Sequence, residues 1–158
     1  MTTKCYIITK FHGQKRNFVG DWFIKDIVRI IESIAVQVTK IVEDESKADY
    51  LKKKIADPKL PSLIINSFTY KINKISDFKV EGIIQCGGDT APYAFFVDQG
   101  HLFRGGKRTF EGHHFMKAGF NKGLELQQTI IEKEFRKAGY SIFARWKLWK
   151  FLRIKEGI

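Results

Sequence analysis

The sequence predicts an α+β fold in which a small, mostly antiparallel sheet packs against two long amphipathic helices. Apolar residues recur at spacings of three and four over two long stretches, which is typical of one face of an α-helix. Between them, apolar and polar residues alternate from Phe78 to Cys86, the period of a half-exposed strand. These elements lack the regular strand and helix alternation of a parallel α/β fold.

Length and composition favour one core. A chain of 158 residues, 44% of them hydrophobic, is long enough for a single core of ordinary size. We therefore divide it into an N-terminal arm or strand (1–19), one α+β domain (20–139) and a basic aromatic extension (140–158). No apolar run is long enough for a membrane span, and we expect synthesis in the cytoplasm. The two cysteines, Cys5 and Cys86, are expected to be reduced and buried.

The charge balance restricts the class of partner. Lys and Arg number 28 against 17 Asp and Glu, which gives a formal net charge of +11. Such a charge favours an anionic neighbour, either nucleic acid or an acidic protein surface.

The N-terminal half is predicted to contain an arm followed by helices. Residues 4–11 are rich in β-formers and predict an edge strand, or a tether that orders on a partner. Asp21 can cap a long helix. Its apolar face consists of Phe23, Ile27, Ile30, Ile31, Ile34, Val38 and Ile41. A short second helix would follow and end at Pro58, and the apolar spacing over 62–75 fits a helix better than a strand.

The stretch from Pro92 to Gly100 predicts a single helical turn that fills the core. Tyr93, Ala94, Phe96 and Val97 would form this turn, and Asp98 and Gly100 would end it. A basic loop follows, with Leu102, Phe103, Arg104, Lys107 and Arg108 as candidate contact residues. This loop is either a solvated surface or a contact site for phosphates or an acidic neighbouring subunit.

The second long helix is predicted to begin near Phe115, Met116 and Ala118, which would pack against that turn and fix both ends of the loop. It would close near Gly139. Gly119 and Gly123 weaken its first turns and therefore suggest close packing or a bend there.

The C-terminal extension interleaves aromatic and basic residues and predicts a helix. It would either dock on the core or lie across a neighbouring protein, where Trp and Arg are frequent anchors. The candidate contact residues are Arg145, Trp146, Trp149, Lys150, Phe151 and Arg153.

Catalytic and metal sites find little support in the sequence. Cys86, Asp98 and His101 are the residue types of thiol catalysis, but no characteristic local sequence surrounds Cys86. The histidines lack the short-spaced ligand pairs of zinc sites, and neither Gly-Gly pair has the spacing of a phosphate-binding loop. We expect no enzymatic activity, metal or cofactor.

Four segments, in order, resemble the small neck and tail-completion proteins of tailed bacteriophages. They are LPSLIINSF (60–68), FKVEGIIQCGG (78–88), APYAFFVDQGH (91–101) and HHFMKAGF (113–120), which together span about half of the chain. The residues that match the family signature are Pro92, Tyr93, Ala94, Val97, Asp98, Gly100, Phe115, Met116 and Ala118.

The resemblance implies a structural virion protein at the head–tail junction. Such a protein forms a ring of six or possibly twelve copies between portal, adaptor or head-closure proteins and tail-tube or terminator proteins. DNA passes through the lumen, so non-specific contact with it is expected, and no membrane partner is. The alternative is a nucleic-acid-binding module that uses the basic loop and the Trp-rich extension.

Overall fold

The structure is a computed structural model that describes residues 2–10, 21–102, 106, 109–139 and 152–157. The elements in chain order are β1 (Thr2–Lys10), α1 (Asp21–Ala56), α2 (Leu63–Asn66), β2 (Thr69–Ser76), β3 (Lys79–Gly87), α3 (Ala94–Gln99), β4 (Gly100–Leu102), β5 (Thr109–Glu111), α4 (Phe115–Lys137) and β6 (Leu152–Gly157). The α+β prediction is confirmed, with α1 and α4 packed together beside antiparallel strands. Over the described ranges, none of the helices combines the length and apolarity needed to cross a membrane.

Helix α1 runs unbroken for 36 residues, whereas the sequence suggested two helices. The polar stretch after Asp44 stays helical because buried residues continue at four-residue spacing through Val42, Ser46 and Tyr50. Part-buried ion pairs from Lys47 to Glu43 and from Lys53 to Asp49 follow the same spacing. The helix ends just before Pro58, as predicted.

Strand β1 lies inside the main sheet, whose strand order is β2-β3-β1-β6. It pairs antiparallel with β3 along its whole length, from Thr2 opposite Gly87 to Lys10 opposite Lys79, and with β6 on its other side. The predicted strand is therefore confirmed for residues 2–10, but its placement at an edge and the alternative of a tether are wrong. Their backbone bonds are made within the chain.

Residues 69–76 form strand β2, and the helix predicted over 62–75 is reduced to the single turn α2. Apolar residues three apart, such as Ile72 and Ile75, fit a helix face, but the β2 ladder with β3 determines the structure here. Lys74 joins β2 to α1 by contacting Glu32 at 3.1 Å, and it also reaches Asp77 at 3.4 Å.

Residues 152–157 form strand β6, so the predicted C-terminal helix is wrong for this part of the extension. The strand pairs with β1 from Leu152 opposite Thr9 to Gly157 opposite Lys4. Residues 140–151 lie outside the described residues.

The core lies between α1, one face of the sheet and α4. Val80, Ile84 and Cys86 of β3 are fully buried there together with Val38 and Val42 of α1. Helix α4 crosses α1 closely at Gly119, where a Cβ would lie 2.0 Å from Ser46 Oγ and 2.4 Å from the Val42 carbonyl oxygen. The close packing that the sequence suggested at Gly119 is confirmed.

Candidate functional site

All four segments that carry the family resemblance contribute residues to one buried hydrophobic cluster, which includes the ring of Phe115. This ring is fully buried and lies edge-on to Tyr50, with ring centroids 5.2 Å apart, and 5.8 Å from Phe68. Ile64, Cys86 and Ala94, one from each of the other segments or elements, belong to the same buried cluster. The four segments thus contribute to a single core, in which Phe115 packs against Tyr50 and Phe68.

Asp98 connects α3 to the start of α4. It is fully buried, and its Oδ1 accepts a hydrogen bond from the Met116 backbone N–H at 3.1 Å. The residue that precedes α4, His114, has φ 51° and ψ 35° and makes no side-chain capping bond. Because the first amides of a helix have no partner within it, the Asp98 carboxylate acts as the missing N-terminal cap.

Two backbone bonds strengthen this connection. His113 N–H donates to the Val97 carbonyl oxygen and His114 N–H donates to the Asp98 carbonyl oxygen, each at 2.9 Å. The second carboxylate oxygen of Asp98 accepts a bond from the Gln99 side-chain amide at 2.7 Å. Residues 97–99 and 113–116 therefore form one hydrogen-bonded unit.

The environment of Asp98 has opposing effects on its charge. Burial raises the pKa of this carboxyl above its usual value, and the bonds from Met116 and Gln99 partly offset that rise. The carboxylate thus serves as a structural acceptor in a site where burial disfavours its charge.

A β-hairpin projects from this unit. Strands β4 and β5 pair with Gly100 opposite Glu111, His101 opposite Phe110 and Leu102 opposite Thr109. At its base the backbones approach so closely that a Cβ on Gly112 would lie 2.2 Å from the Asp98 carbonyl oxygen. Gly100 has φ +85°, a conformation that L side chains rarely adopt. Both ends of the loop are therefore fixed by the close backbone approach at Gly100 and Gly112, whereas the sequence predicted that packing of Phe115, Met116 and Ala118 would fix them.

Aromatic side chains follow the base of the hairpin. The ring of His101 lies 5.8 Å from that of Phe96 and 5.4 Å from that of Phe110, which in turn lies 5.4 Å from His113. Phe96 is 41% exposed and Leu102 is 66% exposed. The prediction that Phe96 fills the core is therefore wrong, because the helical period turns it to the hairpin side of α3.

The other predicted signature residues differ in their burial. Ala94, Asp98, Phe115 and Met116 are buried, Tyr93, Val97, Gly100 and Ala118 are half-buried, and Pro92 is exposed. The remaining candidates of the basic loop, Phe103, Arg104, Lys107 and Arg108, lie outside the described residues, although Gly106 between them is exposed. Of the predicted contact residues in the extension, Arg145, Trp146, Trp149, Lys150 and Phe151 lie outside the described residues, and Arg153 is in β6.

The geometry of Cys86 does not suit a nucleophile. Its Sγ is fully buried and contacts Ser67 Oγ at 3.4 Å. Burial raises the pKa of this thiol to about 12, so the nucleophilic thiolate is scarce at neutral pH. His101 is instead exposed on the hairpin. No group of three or more His, Cys, Asp or Glu within the described part of the chain is placed to hold a metal ion.

Sequence reasoning missed Gly112 and the capping role of Asp98. A signal for the cap was present, since HHF at the start of α4 offers no Ser, Thr, Asp or Asn as N-cap. The arrangement is a rigid support for an exposed hairpin.

Comparison of the chain with protein-family models, curated proteins and solved structures found no match.

Proposed function

We propose that this protein is a structural virion component of a tailed bacteriophage, forming part of the ring at the head–tail junction through which DNA passes. One observation carries the proposal. The four segments that resemble the neck-protein family contribute to one buried cluster, and the signature residue Asp98 joins the base of the hairpin that follows it to the start of α4. A short motif that supports an exposed loop suits a protein that contacts neighbouring proteins.

The ring requires contact between different surfaces of adjacent copies. The sequence suggested the N-terminal arm and the C-terminal extension for this contact. Strands β1 and β6 pair with each other within the chain, so the hairpin is the better candidate. Its exposed Leu102 and half-buried Phe110 are apolar residues that a neighbouring subunit could cover.

Purified virions test this proposal directly. Mass spectrometry with labelled standards should find the chain in about the ratio of six or twelve copies per portal ring. Electron microscopy of the neck should place it there as a closed ring, with portal or tail-tube proteins as neighbours. The proposal fails if the chain is expressed during infection but absent from purified particles.

A variant separates the role of the hairpin from folding. Replacing residues 103–108 with Gly and Ser should leave the core intact and yield heads without joined tails. Lys52→Gln, an exposed change on α1, should assemble normally. The alternative, nucleic-acid binding by the basic loop and the Trp-rich extension, stays a prediction.

A further inference from the structure

Strand β2 leaves one edge of the main sheet open within the described residues. The strand order β2-β3-β1-β6 places it at the end of the sheet, where it pairs with β3 on one side only. Six of its eight residues are exposed, including Tyr70 at 48% and Ile75 at 49%. Along such an edge, alternate residues direct their backbone N–H and C=O groups outward, where another extended segment can pair with them.

An open groove lies between α1 and this end of the sheet. Lys74 of β2 pairs with Val80, whose side chain is buried against α1, so Lys74 is on the α1 side of the sheet. No residue of β3, which is described throughout, lines the groove, and the groove therefore lies on the β2 side. Its lining residues are Lys25, Val28, Arg29 and Glu32 of α1, Lys74, and Asp77 just after β2.

Two cations of the groove have no anionic partner in the part of the chain that the structure describes. Lys25 and Arg29 are exposed, and neither makes an ion pair or a side-chain hydrogen bond there. They are four residues apart on α1, a spacing at which like charges repel each other. The two acids of the groove, Glu32 and Asp77, already contact Lys74. A carboxylate from another molecule would therefore meet two unpaired cations.

The charges of β2 favour an acidic partner over a second copy of the chain. Lys71 and Lys74 are exposed on this strand, and its register with β3 is irregular between Lys74 and Ser76. Lysines and irregular pairing discourage two identical edges from joining. The net charge of +11 adds repulsion between copies. The same lysines attract an extended segment rich in Asp or Glu.

We propose that the open edge of β2 and the adjoining groove bind an extended acidic segment of a partner protein. The segment adds to the sheet as a further strand through backbone hydrogen bonds with β2. Because successive side chains of a strand point to opposite faces, every second one lies on the α1 side. There, an apolar side chain packs beside exposed Tyr70, and an acid beside Lys74 reaches the two unpaired cations of α1. This binding does not depend on a place in the virion.

Synthetic peptides and the full chain test the proposal by fluorescence anisotropy. The probe is a fluorescein-labelled peptide of about ten residues that alternates Val and Glu, long enough to cover β2. It should bind saturably, whereas the same peptide with Lys in place of Glu should not. A third peptide keeps every Glu but has N-methylated backbone amides, so it cannot donate hydrogen bonds to β2 and should not bind either. Amide hydrogen exchange followed by NMR should slow at alternate residues of 69–76 when the first peptide is added.

A pair of variants tests the groove separately from the strand edge. Lys25→Gln together with Arg29→Gln should weaken binding of the Val–Glu peptide about fivefold, because two exposed ion pairs are lost. The matched control is Lys40→Gln together with Lys52→Gln, which removes the same charge from exposed positions of α1 outside the groove. Circular dichroism verifies that both variants fold, and Arg29→Gln alone serves if the double variant does not.

Four outcomes would overturn the proposal. One is the absence of binding by the Val–Glu peptide at millimolar concentration. Another is equal loss of affinity in the two double variants, which would mean that only net charge matters. A third is unchanged binding of the N-methylated peptide, which would exclude strand addition. The last is slowed exchange of the β2 amides that increases with protein concentration in the absence of peptide, which would assign the edge to a second copy. Each result can occur whether or not the chain is found in virions.

Discussion

The start of α4 depends on a carboxylate supplied by another helix. An N-terminal cap usually lies one to three residues before the amide it binds, but Asp98 precedes Met116 by 18 residues. The left-handed conformation of His114 turns the chain so that this distant cap can reach the helix. Folding of α3 and the hairpin base is therefore coupled to the first turn of α4.

Removing the Asp98 side chain should destabilise the protein. Asp98→Ala leaves the Met116 amide buried without its partner, which costs about 2 kcal/mol. Asp98→Asn keeps an oxygen that can accept the bond, so we expect it to cost about 1 kcal/mol or less. Urea unfolding at neutral pH measures both values. Equal stability of Asp98→Ala and wild type would contradict the capping role.

The pH dependence of Asp98 provides a check on the same residue. Because burial raises the folded-state pKa of this carboxyl, it is protonated more readily in the folded than in the unfolded protein. Wild type should therefore lose part of its stability as the pH rises above the ordinary range of an aspartate, and Asp98→Asn should lack this loss.

The sequence predicted only part of the structure at the level of single residues. The signature run was correctly predicted to form a short helix that ends at Gly100, because a glycine can adopt the positive φ found there, although Asp98 lies within the helix and does not end it. The partner of Asp98 and the close approach at Gly112 depend on contacts between segments that are distant in sequence. The local pattern of apolar and polar residues contains no direct information about the partner of Asp98 or the close approach at Gly112.

At the scale of elements, the spacing of apolar residues identified the helices and strands that bury one regular face. Helices α1 and α4 and strand β3 have such faces. Strand β2 was misassigned because it is largely exposed, so its few apolar residues mark no face clearly. The inner position of β1 and the strand β6 result from pairing between the two ends of the chain, which short-range patterns cannot predict.

Glu134 joins α4 to α1 and should make the helix pair sensitive to acid. Its carboxylate accepts bonds from Lys137 Nζ at 2.7 Å and from Ser33 Oγ at 2.6 Å. These bonds lower the pKa of Glu134 to about 2, and the bond from Lys137 has a larger effect than the bond from Ser33. A lowered pKa stabilises the fold above the unfolded value of 4.5, and this contribution disappears as the pH falls towards 2.

The expected effect of Glu134→Gln follows from the lowered pKa of Glu134. The variant should lose about 1–2 kcal/mol at neutral pH because a charge-assisted bond becomes a neutral one. The difference from wild type should shrink as the pH falls below about 4.5. Urea unfolding at several pH values measures this difference in the free energy of unfolding. The control is Glu125→Gln, which removes an exposed ion pair with Lys122. A difference in stability that stays constant with pH would contradict the stabilising role of the ionised Glu134 side chain.

At the scale of the whole molecule, the two ends of the chain complete one sheet. β1 holds β3 on one side and β6 on the other, so the first and last described strands are neighbours. The sequence suggested appendages at both ends, yet residues 2–10 of the first and residues 152–157 of the second pair within the main sheet. The C-terminal strand is therefore expected to contribute to the stability of the fold.

Truncation after residue 151 tests this contribution. The shortened chain lacks β6 and leaves the outer edge of β1 unpaired. Unpaired strand edges associate with other chains, so the truncated protein should unfold at lower urea concentration and form larger species as its concentration rises. Light scattering after size-exclusion chromatography measures the second effect, and removal of Ile158 alone is the control. If 152–157 were an independent appendage, truncation would leave both the urea midpoint and the oligomeric state unchanged, and the pairing of β1 with β6 would have no energetic weight.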